Sequence, residues 1–133
     1  MTVSPEKLLS VDRLSVAFRT DAGPVVAVRG VSFDVLHGET LCLVGESGSG
    51  KSVTCLSMMG LLPPAGRVTG GAAKIDGVDL LSLSPAEMRR RRGSDLAMIF
   101  QDPLGALNPV HTIGWQIAET LTLRGVGHRA ARA

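Results

Sequence analysis

The segment "GESGSGKS", residues 45–52, concentrates the residue types that could do chemistry. Gly45, Glu46, Ser47, Gly48, Ser49, Gly50, Lys51 and Ser52 fit G-x-x-x-x-G-K-[ST] at every fixed position. Glycines remove side chains from one face of a loop, so its backbone N–H groups can curl around an anion. A helix beginning near Lys51 would add unpaired N–H groups and the positive end of its dipole. Lys51 then supplies a mobile charge for β- and γ-phosphates, and the Ser52 hydroxyl can ligate Mg²⁺. The chemistry implied is the binding of a nucleoside triphosphate.

No second constellation competes with this loop. His37, His111 and His128 are scattered without metal-ligand spacing. Cys42 and Cys55 lack CxxC spacing and lie in apolar surroundings, which predicts two core thiols in a reducing compartment. The arginine run at residues 89–92 reads as a solvated helix end. A net charge of +2, with one Trp, three Phe and no Tyr, offers neither the field nor the stacking array of a nucleic-acid binder. A hydrophobic share of 44% suits one globular domain over 133 residues. The longest apolar-leaning stretch is far shorter than the roughly 20 residues a membrane helix requires. The start, "MTVSPEKLL", lacks the basic-then-apolar pattern of a signal peptide, so membrane association is expected only through a partner.

Positioning the loop requires a strand before it and a helix after it. "TLCLV", residues 40–44, is a short continuous apolar run of the kind buried on both faces of a sheet. "KSVTCLSMMGLL" reads as a helix stopped by Pro63 and Pro64. Upstream, Leu14, Val16 and Phe18 alternate, as do Val31, Phe33 and Val35, predicting two strands around the breaker "RTDAGP". Downstream, "GRVTGGAAKIDGVDL" predicts two short strands with Gly70-Gly71 and Asp76-Gly77 as turns. Ser84, Pro85 and Glu87 form a capping box for a short helix. "DLAMIF", residues 95–100, predicts another buried strand, and "IGWQIAETLTL" a helix after the loop "QDPLGALNP". The tail "RGVGHRAARA" reads as frayed or interrupted. The fold class is α/β with an antiparallel β part attached.

"GVSFDVLHGETLCLVGESGSGKS", with "MIFQDPLGALNP" and "IGWQIAE", resembles the ATP-binding subunit of an ABC transporter, most closely the oligopeptide/dipeptide (and nickel) importer subfamily. The resemblance runs from about residue 9 to residue 123, and FQDP and LNP carry its subfamily specificity. It implies a P-loop NTPase fold of the ABC type with an antiparallel β subdomain. It also implies ATP and Mg²⁺ as ligands, transmembrane permease subunits and a second ATP-binding subunit as partners, and a location on the cytoplasmic face of the membrane. Phe18 matches the position where the family stacks an aromatic on adenine; by itself it reads as a core strand residue. Gln101, fifty residues after Lys51, matches the Q-loop glutamine, which approaches the metal and the attacking water and touches the membrane partner. Read alone, it merely ends a strand.

The sequence holds no "SGGQ" signature and no apolar strand ending in Asp-Glu, so the resemblance covers the N-terminal part of such a subunit. His111 and His128 precede any such strand and are not candidates for the family's switch histidine, and Glu119 is no general base. The expected division is a β-rich segment at 1–44, loop and helix at 45–62, hairpins with a short helix and strand at 63–100, and the Q-loop with the start of a helical subdomain at 101–133. A cradle without a positioned nucleophile leaves the chain's own ATPase activity open. The competing readings are a soluble ABC-type ATPase of DNA repair or chromosome structure and a P-loop kinase or GTPase. No sustained heptad supports the first. The 44 residues ahead of the loop disfavour the second.

Overall fold

The computed structural model describes residues 6–102 and 105–126. The chain forms two compact units, one ending at Arg91 and one beginning at Arg92.

The first unit is built on an antiparallel sheet in the order β2-β1-β3-β4. Strands β1 (Lys7–Thr20) and β2 (Gly23–Leu36) form a long hairpin, as the alternation of Leu14, Val16 and Phe18 predicts. β1 is irregular at its centre, where the register shifts on both sides of Leu14. Arg13 takes a φ of 46° there, and side chains replace the missing ladder bonds. The Arg13 N–H donates to Ser32 Oγ at 2.8 Å, and the Gly30 N–H donates to Ser15 Oγ at 2.9 Å. These two backbone donors are therefore satisfied despite the bulge.

β3 (Gly66–Ile75) pairs with the other edge of β1 and runs straight through Gly70-Gly71. The pair of glycines is thus a bulge and not the turn expected from sequence. Gly71 has φ +91°, and a Cβ there would stand 2.5 Å from the Arg13 carbonyl and from the Asp12 oxygen. Only glycine lets the two bulges nest. Gly71→Ala is therefore expected to destabilise the unit by about 1–3 kcal/mol, the usual range for such backbone strain. Urea unfolding checks this, and an unchanged midpoint would contradict the nesting. The expected turn at Asp76-Gly77 does form, both residues having positive φ, and closes the hairpin to β4 (Val78–Asp79).

Asp79 ends the sheet. Its Oδ1 accepts from the N–H groups of Ala73 and Leu81, tying β3 to the 3-10 turn Leu80–Ser82. The capping box forms on α2 (Pro85–Arg91): the Ser84 N–H donates to Glu87 Oε2 at 2.8 Å and the Glu87 N–H donates to Ser84 Oγ. The Ser84 hydroxyl and N–H together hold the Glu87 carboxyl below the usual glutamate range. The core cluster is Val11, Leu14, Val16, Val28 and Ala73, with Val53 and Met58 of α1 (Lys51–Met58) packed against it. The sheet thus carries the helix that follows the glycine loop. That helix stops well before Pro63, because Gly60 at φ 61° already ends it.

In the second unit, α3 (Ile113–Leu123) forms where its sequence predicts it. Thr112 caps it, accepting from the Trp115 N–H, and the His111 and Trp115 rings stack with centroids 4.0 Å apart. The Gln116 side chain reaches back to Asn108 and His111, pinning the preceding loop. Residues 127–133, which hold His128 and most of the expected frayed tail, lie outside the described residues.

Two expected strands are absent. Residues 40–44 and 95–100 join no ladder among the described residues, apart from an isolated bridge between Arg92 and Leu96. Leu41, Leu43, Val44, Ile99 and Phe100 are exposed, Val44 at 89% and Ile99 at 94%, while Leu96 and Met98 are half-buried. A central strand exists only when neighbours accept its backbone bonds, and neither segment has such a neighbour among the described residues. Cys42 lies in the first of these segments and is exposed, correcting its reading as a core thiol, while Cys55 is half-buried on α1.

Candidate functional site: the glycine loop and a neighbouring cavity

Residues 45–50 form a tight loop that delivers the chain into α1. Gly50 is the helix N-cap, at φ 92° and ψ 2°, and no side chain caps the helix there. Its position is also fixed by contact. A Cβ on Gly50 would lie 2.6 Å from the Ala27 carbonyl oxygen and 3.2 Å from Val28 Cγ2. The loop therefore rests directly on β2, which sequence spacing could not reveal.

Among the described residues, the N–H groups of Gly48, Gly50, Lys51, Ser52 and Val53 make no hydrogen bond. Unpaired N–H groups in succession at the start of a helix are the donor set that favours an anion. The Lys51 ammonium folds over the same loop. Its Nζ donates to the carbonyls of Gly45 at 2.7 Å and Glu46 at 2.6 Å and to Ser49 Oγ at 3.1 Å. Ser47 and Ser52 are exposed beside it. Further into α1, Thr54 and Ser57 are buried, and each satisfies its hydroxyl on a helix carbonyl, Gly50 and Thr54 respectively. The donors and the lysine fit a polyphosphate. The Ser52 hydroxyl is the exposed side-chain oxygen adjoining them that a Mg²⁺ could take.

Phe18 lies in the same unit, near the end of β1. It is half-buried against the core and lines a cavity of about 280 Å³ with Arg19, Pro24, Pro64 and Gly66. Pro24 precedes Ala27, the seat of Gly50, by three strand residues, a separation on the order of 10 Å along β2. Cavity and loop therefore both touch β2. The cavity walls were not legible in the sequence, since they meet only through the register of β1 with β2 and β3. Gln101 belongs to the second unit and is exposed there.

A glycine loop thus opens a helix on an antiparallel sheet, with unpaired N–H donors at the helix start. Residues 28–131 match the family model described as ABC transporter, and the chain belongs to that family. The dipeptide transport ATP-binding protein DppD of Bacillus subtilis (strain 168) is 57% identical over 117 residues, covering 87% of this chain and 35% of that protein. The oligopeptide transport ATP-binding protein OppD of Mycobacterium tuberculosis (strain ATCC 25618 / H37Rv) is 48% identical over 94% of this chain and 21% of its own length. DppD of Escherichia coli (strain K12) is 45% identical, with coverages of 94% and 38%. The chain thus spans between about a fifth and two fifths of the curated relatives it matches. Its first unit gives the family's ATPase domain an antiparallel sheet with few helices, as the resemblance implies. No helix among the described residues is long and apolar enough to cross a membrane.

Proposed function

We propose that this chain forms the ATP-holding part of an ATP-binding subunit that powers peptide import. The carrying observation is the set of unpaired N–H groups at Gly48 and at Gly50 to Val53, with Lys51 folded over the loop, inside the matched region. In this reading the loop from Gly45 through Glu46, Ser47, Gly48, Ser49 and Gly50 wraps the phosphates. Lys51 exchanges its carbonyl partners for the β- and γ-phosphate oxygens, and the Ser52 hydroxyl holds Mg²⁺. The metal, when bound, neutralises charge on the phosphates. Phe18 faces the adenine, and Gln101 serves both the metal site and the membrane partner. Permease subunits and a second ATP-binding subunit complete the assembly at the cytoplasmic face of the membrane. The subdivision at residues 44, 62 and 100 follows these roles, with the Q-loop opening a helical subdomain. Hydrolysis belongs to the intact subunit, because a positioned base and a closing signature loop are required besides the cradle. The names of the relatives above support this over the soluble ATPase and kinase readings.

The test is a titration of the chain with a fluorescent ATP analogue, competed by ATP, GTP and inorganic triphosphate, with and without Mg²⁺. Displacement by ATP that tightens with Mg²⁺ is expected. Absence of saturable binding would overturn the assignment.

A further inference from the structure

Gly66 stands directly across from Phe18 in the register of β1 with β3. A Cβ on Gly66 would lie 2.8 Å from Phe18 Cε1 and 3.2 Å from Cζ, so the ring lies flat on the bare glycine backbone. The segment that delivers Gly66 is pinned twice. Its own N–H donates to the Pro63 carbonyl at 2.8 Å, and the Arg19 N–H donates to the Ala65 carbonyl at 2.9 Å. The ring cannot swing away freely, because Phe18 also packs against the core cluster. Phe18 and Gly66 both line the 280 Å³ cavity, so the ring's angle sets one wall of it.

We infer that Gly66 is a positioning residue for base binding: it sets the Phe18 ring at the angle at which the cavity takes a purine. The inference rests on the reading of Phe18 as the adenine-facing residue. The plainer explanation is that the ring merely shields a strand glycine, which stabilises a sheet without concern for any ligand. The two differ in what a methyl group at position 66 does. If the ring only shields, Gly66→Ala lowers stability and affects all ligands alike. If the ring is aimed, Gly66→Ala selectively weakens ligands that carry a base.

The experiment compares wild type, Phe18→Ala, Gly66→Ala and the double variant in the full chain, with ATP and inorganic triphosphate as the two ligands. Phe18→Ala is expected to lower ATP affinity by about 5- to 150-fold, the equivalent of one lost aromatic–base stack, with triphosphate affinity unchanged. Gly66→Ala is expected to lower ATP affinity at least about five-fold on the same scale, again sparing triphosphate. The double variant should match Phe18→Ala alone, since the added methyl then has no ring to displace. Triphosphate binding also reports that the loop is folded. Should Gly66→Ala bind neither ligand while the double variant binds triphosphate normally, the methyl–ring clash acts on folding alone and the inference falls. Unchanged ATP affinity in Gly66→Ala, equal losses of both ligands in both Gly66 variants, or additive losses in the double variant would overturn it. A normal ATP affinity in Phe18→Ala removes the Phe18 reading itself, and the inference with it.

Discussion

Lys51→Ala is expected to weaken ATP binding by about 10- to 150-fold, with no matching loss of stability. In the free protein the ammonium donates to two loop carbonyls and one hydroxyl, all exposed. Those oxygens return to water when the side chain is removed, so the folded state loses little; surface changes of this kind usually stay within about 0.5 kcal/mol. With ATP bound, the same ammonium would face phosphate oxygens, and a charge-assisted contact of that type is worth about 1.5–3 kcal/mol. The difference appears in the dissociation constant. The five unpaired N–H groups are backbone and survive the substitution, so residual binding is expected. Parallel titrations of both variants with a fluorescent ATP analogue, alongside urea unfolding, separate the two quantities. Equal affinities would refute the role of Lys51, and a large fall in stability would make it a structural latch.

The loop could be read from sequence because each of its positions answers a separate chemical demand: no side chain at Gly45 and Gly50, a charge at Lys51, a hydroxyl at Ser52. The β1–β2 hairpin and α3 were legible for a different reason, since alternation and helical capping are local. Gly70-Gly71 misled because glycine serves turns and bulges equally well. The choice was made by Arg13, whose φ of 46° lies more than fifty residues away in the chain. Distance in sequence likewise hides the Phe18–Gly66 pair, which exists only after two bulges have shifted the register of β1.

Residues 40–44 and 95–100 show the opposite limit. Their composition is that of buried strands, and composition reports what a segment is suited to pair with, not whether a partner is at hand. Leu41, Leu43 and Val44 in the first unit, and Ile99 and Phe100 in the second, remain exposed. The loop is nevertheless formed, because Gly50 takes its support from Ala27 and Val28 of β2. The antiparallel hairpin therefore holds the cradle without help from the segment directly before it.

That dependence gives the second large effect. Leu14 is at 0% exposure at the centre of β1, in the cluster with Val28 and Ala73, against which Val53 and Met58 of α1 pack. Leu14→Ala removes its burial and leaves a cavity beneath the helix, and is expected to destabilise the first unit by about 2–5 kcal/mol. Set against a net domain stability of about 5–15 kcal/mol, this is a large fraction. Leu14→Ile keeps the volume and should stay below about 1.5 kcal/mol. Urea unfolding with an unchanged slope measures both. The functional consequence follows from Val28, which belongs to this cluster and also touches the seat of Gly50. Under conditions where Leu14→Ala is still folded, triphosphate affinity should fall modestly, since the helix start can shift over the cavity, while in Leu14→Ile it should not. A Leu14→Ala variant as stable as wild type would show that the core lies elsewhere. A destabilised variant with unaltered triphosphate affinity would show that the loop is held by its own backbone and not by the sheet beneath it.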